Sequence, residues 1–258
     1  MAVLIAGHQR SGTTLLKDLC NSHPQISITG EFGNFMLLDV PYQQYARFIL
    51  GRWWKKRNAA ILASHPLKGV NMARNLLFIF RYLVAVRSQD PTLVRNDHVE
   101  NAMLRRFPGH SRVGDKYPDY IFWLNKLSRL ENMKCVFIYR DPRDVASSTL
   151  KRARIELRGS WPDEMRDPGE IAQRWNQTIE IMESTLDRIL AIRYEDLVTQ
   201  PESVLQELGS WLEVDPEGFN QKMIRSTSIG KYQTGLSETE VEQVVSIAGP
   251  VMQRLGYL

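Results

Sequence analysis

Apolar residues fill every position from Ala2 to Ala6, after which a loop containing Gly7 and Gly12 leads into a stretch where Leu15, Leu16, Leu19 and Cys20 form one stripe. A turn at His23-Pro24 and a second strand-like run, Gln25 to Thr29, follow. The order strand, loop, helix over Thr13 to Asn21, turn, strand is a βαβ opening. From about Phe32 to His110 the period changes: Leu, Phe, Trp and Arg recur at helical spacing, and Pro41, Pro66, Pro91 and Pro108 divide the stretch into several helices. Strand-like segments return at Arg112 to Asp115, Lys134 to Tyr139 and Ile189 to Tyr194, separated by amphipathic stretches. This alternation predicts an α/β fold of P-loop type: one domain over residues 1–258, a parallel sheet flanked by helices, and a helical insertion over 32–110. Asp141-Pro142 and Gln200-Pro201 mark two helix starts, each expected directly after a strand. In such sheets ligands bind beyond the carboxyl ends of the strands.

Composition adds little to the fold and something to the partners. Hydrophobic residues at 43% and charged residues at 24% describe an ordinary globular chain. A net charge of +4 fits an anionic small molecule, a nucleic acid or a membrane surface alike. Cys20 and Cys135 lack any metal or redox spacing and are expected to be buried free thiols. The apolar run after Met1 is too short for a signal peptide, and no stretch approaches the roughly 20 apolar residues that span a bilayer. The expectation is a cytoplasmic protein, or one trimmed of an N-terminal anchor.

The first candidate chemistry is the loop Gly7-His8-Gln9-Arg10-Ser11-Gly12-Thr13-Thr14, set between a strand and a helix. Glycines let the backbone approach an anion, and the N–H groups of the helix start donate to it. The G-x-x-x-x-G spacing is that of a P-loop, but Thr13 stands where the lysine belongs and Arg10 supplies the cation instead. A triphosphate's β and γ groups need that lysine and a magnesium-binding hydroxyl in register, so the loop suits a single 5'-phosphate. The plainer alternative is an ordinary glycine turn. A second candidate follows the strand ending at Tyr139: Arg140 can hold a phosphate bidentately, and Ser148 lies two helical turns further on the same side. By itself this segment also reads as a charged helix start.

Taken together these segments resemble the 3'-phosphoadenosine 5'-phosphosulfate (PAPS)-dependent sulfotransferases, particularly the branch of tyrosylprotein sulfotransferases and their bacterial relatives. The markers run the length of the chain: Arg10 to Thr14, Gly30-Glu31, Asp115-Lys116-Tyr117-Pro118, Arg140 with Ser148, Arg193 to Leu197, and Arg225-Ser226-Thr227 leading to Gly230-Lys231-Tyr232. The resemblance implies that Arg10, Ser11, Gly12, Thr13 and Thr14 cradle the donor's 5'-phosphosulfate. It implies that Arg140 and Ser148 hold its 3'-phosphate, that Arg225, Ser226 and Thr227 close over that phosphate with Lys231 nearby, and that Tyr194 lies by the adenosine. PAP is then the product, with no metal.

Sulfuryl transfer needs a base within reach of the acceptor hydroxyl. Glu31, at the expected end of the second strand, matches the base of the tyrosylprotein branch; His8, His65 and His110 are its substitutes, because a histidine plays this part in the cytosolic branch. Lys116 matches a family lysine at the transferring group, and a salt bridge with Asp115 or Asp119 is its plainer role. The partner is a hydroxyl-bearing acceptor, first a carbohydrate, glycolipid or small alcohol and then a protein tyrosine. Nucleic acid is not expected, and the oligomeric state is open. The basic aromatic segment Arg52 to Arg57 fits a sugar, an acidic peptide, peripheral membrane contact, or a solvated helix face with buried tryptophans. Two rivals stand beside this reading: a P-loop kinase or NTPase, and a non-catalytic nucleotide- or nucleic-acid-binding module.

Overall fold

A computed structural model describes residues 1–55, 61–62, 68–155, 163–225 and 228–258. Five strands, β1 (Ala2–Ala6), β2 (Ile26–Gly30), β3 (Arg112–Lys116), β4 (Met133–Tyr139) and β5 (Ile189–Arg193), form a sheet in the order β2-β3-β1-β4-β5. All four pairings are parallel. The largely apolar runs of β1, β4 and β5 follow from this arrangement, because a parallel sheet is covered on both faces and most of its side chains are buried.

Side chains alternate between two cores. Val3, Ile5, Val136, Ile138 and Ile192 point to one face, which is covered by α1 (Thr13–Ser22), α8 (Tyr194–Thr199) and α9 (Pro201–Leu212) through Leu16, Leu19, Leu197, Leu205 and Leu208. Leu4, Cys135 and Phe137 point to the other, beneath α6 (Pro142–Ile155), α7 (Pro168–Glu183) and α11 (Glu238–Arg254). Cys20 and Cys135 are both free and buried, and desolvation pushes each thiol up to about 12.

The stretch between β2 and β3 holds α2 (Tyr42–Lys55), α3 (Lys68–Arg87) and α4 (Asn96–Arg106). Tyr45, Ile49, Phe78, Tyr82, Val99 and Met103 join it to the second core. Two short helices complete the chain: α5 (Leu124–Leu127), after a 3-10 turn at Pro118–Trp123, and α10 (Tyr232–Gly235). Among the described residues no helix is long and apolar enough to cross a membrane.

β2, β3 and β4 differ from the expected runs by a residue at one or both ends, and the end of β5 differs in a way that changes the order of elements. β5 ends at Arg193 and Tyr194 opens α8, so the helix at Pro201 follows another helix rather than a strand. Glu195 and Asp196 occupy the first turn of α8, where carboxylates suit the positive helix end. Glu195 is further fixed by accepting from Asp141 N at 3.0 Å and from Tyr257 OH at 3.0 Å. At the other marked start, Asp141 Oδ1 accepts from Arg143 N at 2.8 Å and caps α6 behind Pro142.

Strands β1 and β4 are neighbours, yet the helices they feed, α1 and α6, lie on opposite faces. Their connecting loops therefore part at the carboxyl edge and leave a crevice there.

Candidate active site

The loop after β1 is held by close backbone approach. Gly7 has φ 148°, and a Cβ there would stand 2.3 Å from Ile138 O at the end of β4. Gly12 has φ 99°, and a Cβ there would meet the Tyr194 ring at 2.6 Å. Only glycine takes these conformations at this proximity. Arg10 is exposed at φ 70°, also in the left-handed region. Helix α1 then begins without a side-chain cap and without an acidic residue in its first turn. Thr13 is buried and Thr14 exposed. Ser11 is fully buried, and its Oγ has no partner among the described residues.

Arg140 and Ser148 meet this loop across the crevice. Arg10 Nε donates to Ser148 Oγ at 2.9 Å, and Arg140 Nη1 donates to Arg10 O at 3.4 Å. Arg140 is 6% exposed. Its Nη2 pairs with Asp144 at 3.0 Å and donates to Ser228 O, its guanidinium lies 4.6 Å from the Tyr194 ring centre, and its Nε lacks a partner among the described residues. Asp144 also accepts from Gly230 N at 2.9 Å and Tyr232 N at 3.0 Å, which ties the α10 segment onto α6.

Between these elements opens a cavity of about 710 Å³. The cations lining it are Arg10, Arg140, Lys151, Arg152, Arg154 and Lys231, and the carboxylate is Asp144, already engaged as described. A basin so charged suits a ligand with several negative groups. Lys231 lines it, whereas Arg225 is exposed and does not; Ser226 and Thr227 lie outside the described residues. Lys151, Arg152 and Arg154 were missed from the sequence. For Lys151 and Arg152 the available signal was their spacing of three and four residues from Ser148 along α6; Arg154 has no such spacing.

Lys116 and Glu31 come together one and two strands away from β1, respectively. Gly30 and Lys116 are register partners, and Glu31 N donates to Lys116 O at 2.7 Å. Glu31 turns out of the strand at φ 54°, and Lys116 Nζ donates to its Oε1 at 3.1 Å. The lysine side chain is 6% exposed and the glutamate 35%. The partners considered for Lys116 are engaged elsewhere: Asp119 pairs with Arg174 at 3.1 Å, and Asp115 is buried in a network of its own. Asp115 Oδ1 accepts from Thr29 Oγ1 (2.8 Å) and Phe32 N (3.1 Å), and Oδ2 from Gly33 N (2.7 Å) and Tyr120 OH (2.9 Å). This carboxylate fixes the turn that carries Glu31; burial raises its pKa while these donors oppose the rise. From α2, Arg52 reaches the same turn, its guanidinium 4.7 Å from the Tyr117 ring centre and within contact of Gly33.

The histidines are placed differently. His8 is buried, its Nδ1 donates to Gln9 O at 2.7 Å, and desolvation lowers its pKa to about 4. His110 sits just before β3, at the amino edge of the sheet and opposite the crevice. His65 lies outside the described residues.

A glycine loop at the carboxyl edge of a parallel sheet, facing a cation-lined cavity, defines an enzyme that handles phosphorylated groups. The family profile described as "Sulfotransferase family" matches residues 2–218, and the chain belongs to that family. It is 24% identical over 243 residues to a candidate protein-tyrosine sulfotransferase of Caenorhabditis briggsae, covering 92% of this chain and 73% of that protein. Its fold is similar to the sulfotransferase domain from the curacin biosynthetic pathway (TM-score 0.59, 19% identity, 95% of each chain). It is also similar to a mouse sulfotransferase solved with PAP (TM-score 0.51, 13% identity, 98% of this chain and 84% of that one). The chain is therefore a transferase of the sulfotransferase class rather than a kinase or a passive binding module.

Proposed function

We propose that this sulfotransferase binds PAPS in the cavity between the Gly7–Thr14 loop and α6, and passes its sulfuryl group to an acceptor hydroxyl with Glu31 as base. The observation that carries the reading is the Arg10–Ser148 hydrogen bond, which joins the two expected phosphate cradles across one cavity. The residues fit such a donor. Buried donors without partners among the described residues, Ser11 Oγ and Arg140 Nε, lie at the loop and the cavity wall, and the cationic lining matches a nucleotide with phosphoryl groups on both ends of the ribose. The mouse relative's complex with PAP supports the same choice of nucleotide.

In this reading Arg10 and the α1 amino end hold the 5' side, Arg140, Ser148 and Lys231 hold the 3'-phosphate, and Tyr194 supports the base. Arg225 with Ser226 and Thr227 is assigned to the segment closing over the 3' side. The donor supplies an activated sulfuryl group; no metal is invoked. The acceptor oxygen forms its bond to sulfur as the bond from sulfur to the departing phosphate oxygen breaks. Glu31 takes the hydroxyl proton, a contribution of roughly 10²- to 10⁴-fold. Lys116 and Arg10 neutralise the charge gathering on the departing oxygen. His8 is a weak candidate for the base because it is sealed from solvent and its pKa lies near 4.

The helices of 32–110 form the acceptor side, with Arg52 reaching the Glu31 turn. A carbohydrate, glycolipid or small alcohol is the first acceptor class, and protein tyrosine, favoured by the Caenorhabditis briggsae relative, is the second. Calorimetry with adenosine 3',5'-bisphosphate followed by labelled-sulfate transfer to an acceptor panel tests the reading. Saturable binding and transfer to one class are expected; absence of nucleotide binding overturns it.

A further inference from the structure

Between Asp39 and Asp90 the sequence contains no Asp or Glu and nine Lys or Arg. The whole chain carries only +4, so everything outside this stretch is net −5. A charge of one sign concentrated in one segment points to an anionic partner for that segment. The segment contains α2 and α3.

Helix α3 also exposes apolar side chains instead of hiding them. Phe78, Ile79, Tyr82, Leu83 and Val86 face the core, yet Met72, Leu76, Leu77, Phe80 and Val84 are 44%, 46%, 50%, 65% and 52% exposed. At helical periodicity the exposed set, taken from Met72 round to Val70, covers an arc of about 160° beside the buried one. Arg74 and Arg81, both exposed, fall together on the far rim of that arc. On α2, packed against α3, Leu50 and Trp54 are also exposed, at 44% and 64%.

Large apolar residues on one arc, a basic rim, an exposed tryptophan and no carboxylate are the features of a helix that lies in a lipid interface. With 20 residues that include four cations, α3 lies along a bilayer and does not cross it. We propose that α3, with Trp54 beside it, is a docking surface for an anionic bilayer: Met72, Leu76, Leu77, Phe80 and Val84 enter the headgroup boundary, and Arg74 and Arg81 meet lipid phosphates. The apolar arc supplies burial and the absence of acidic residues supplies selectivity for anionic lipid. The reading is independent of the transfer reaction.

The test is co-sedimentation of the full chain with vesicles of phosphatidylcholine alone and of phosphatidylcholine with phosphatidylglycerol. Partition to the anionic vesicles is expected to be at least about tenfold greater and to weaken with salt. Leu76→Ser/Phe80→Ser, which keeps every charge, and Arg74→Gln/Arg81→Gln, which keeps every apolar contact, are each expected to lower that partition about tenfold or more. Calorimetric affinity for adenosine 3',5'-bisphosphate, unchanged in both variants, shows that the fold is intact. Equal partition to the two vesicle types, or undiminished binding by Leu76→Ser/Phe80→Ser, overturns the proposal. So does a concentration-dependent dimer in sedimentation velocity that this same variant dissolves, since a second copy then covers the arc.

Discussion

Lys116 Nζ lies 3.1 Å from Glu31 Oε1, and the same two residues are joined through their backbones by Glu31 N and Lys116 O at 2.7 Å. Neither contact is local, since α2, α3 and α4 lie between β2 and β3 in sequence. The pair places the half-exposed carboxylate beside a lysine side chain that is almost sealed from water, and gives that lysine a partner.

Glu31→Gln keeps an oxygen for Lys116 but removes the basic site. Turnover is expected to fall by at least about 10²-fold while affinity for adenosine 3',5'-bisphosphate stays within about twofold. Single-turnover transfer beside calorimetry separates the two effects. Lys116→Ala is expected to lose turnover comparably, through the charge on the departing oxygen. Full activity in both variants would remove the pair from the chemistry.

Arg140→Ala is expected to weaken adenosine 3',5'-bisphosphate at least tenfold more than it weakens 5'-AMP, because only the former carries a 3'-phosphate. The arginine also neutralises buried Asp144, so the same change should lower stability by roughly 3 kcal/mol. Arg140→Lys keeps the charge without the fork and separates the two losses. Equal weakening of both nucleotides by Arg140→Ala contradicts the assignment.

Gly7→Ala places a methyl 2.3 Å from a backbone carbonyl at φ 148°, and nothing there yields without moving β4. A loss above about 2 kcal/mol in urea unfolding is expected. At Gly12 the obstacle is the Tyr194 ring, a side chain that can turn aside. Gly12→Ala should therefore be partly rescued by Tyr194→Leu, whereas Gly7→Ala should not; parallel behaviour of the two would show that the contacts are not the cause.

His8 is buried neutral, with its pKa lowered by desolvation from 6.5 to about 4. The unfolded chain takes up a proton as pH falls through 6.5 while the folded chain waits until about 4, so this residue's stabilising contribution is complete above 6.5 and lost on acidification. The difference amounts to about 3 kcal/mol across that window. His8→Asn, which preserves a donor toward Gln9 O, is expected to flatten the profile by that amount. Superimposable pH profiles would mean that His8 does not titrate this way.

Much of this protein was legible in order of residues alone. Strands β1, β4 and β5 were visible because both faces of a parallel sheet are buried, which writes a strand as a largely apolar run; β1 begins and ends where the run does. Gly7, Gly12 and Asp141-Pro142 were visible because backbone conformation and helix capping are local demands that few residues meet. The start of α8 at Tyr194 was not, since Glu195 earns its place through hydrogen bonds to Asp141 and Tyr257, far away in sequence.

Tertiary structure alone decided which of these pieces meet. Sequence placed Arg10, Ser148, Glu31 and Lys116 on separate segments; the strand order β2-β3-β1-β4-β5 made their loops neighbours. It also gave α6 its cavity-facing row of Lys151, Arg152 and Arg154, and left the outer arc of α3 uncovered. Hydrophobic period records how deeply a residue is buried, but it carries no record of the distant backbone or charge that will stand beside it.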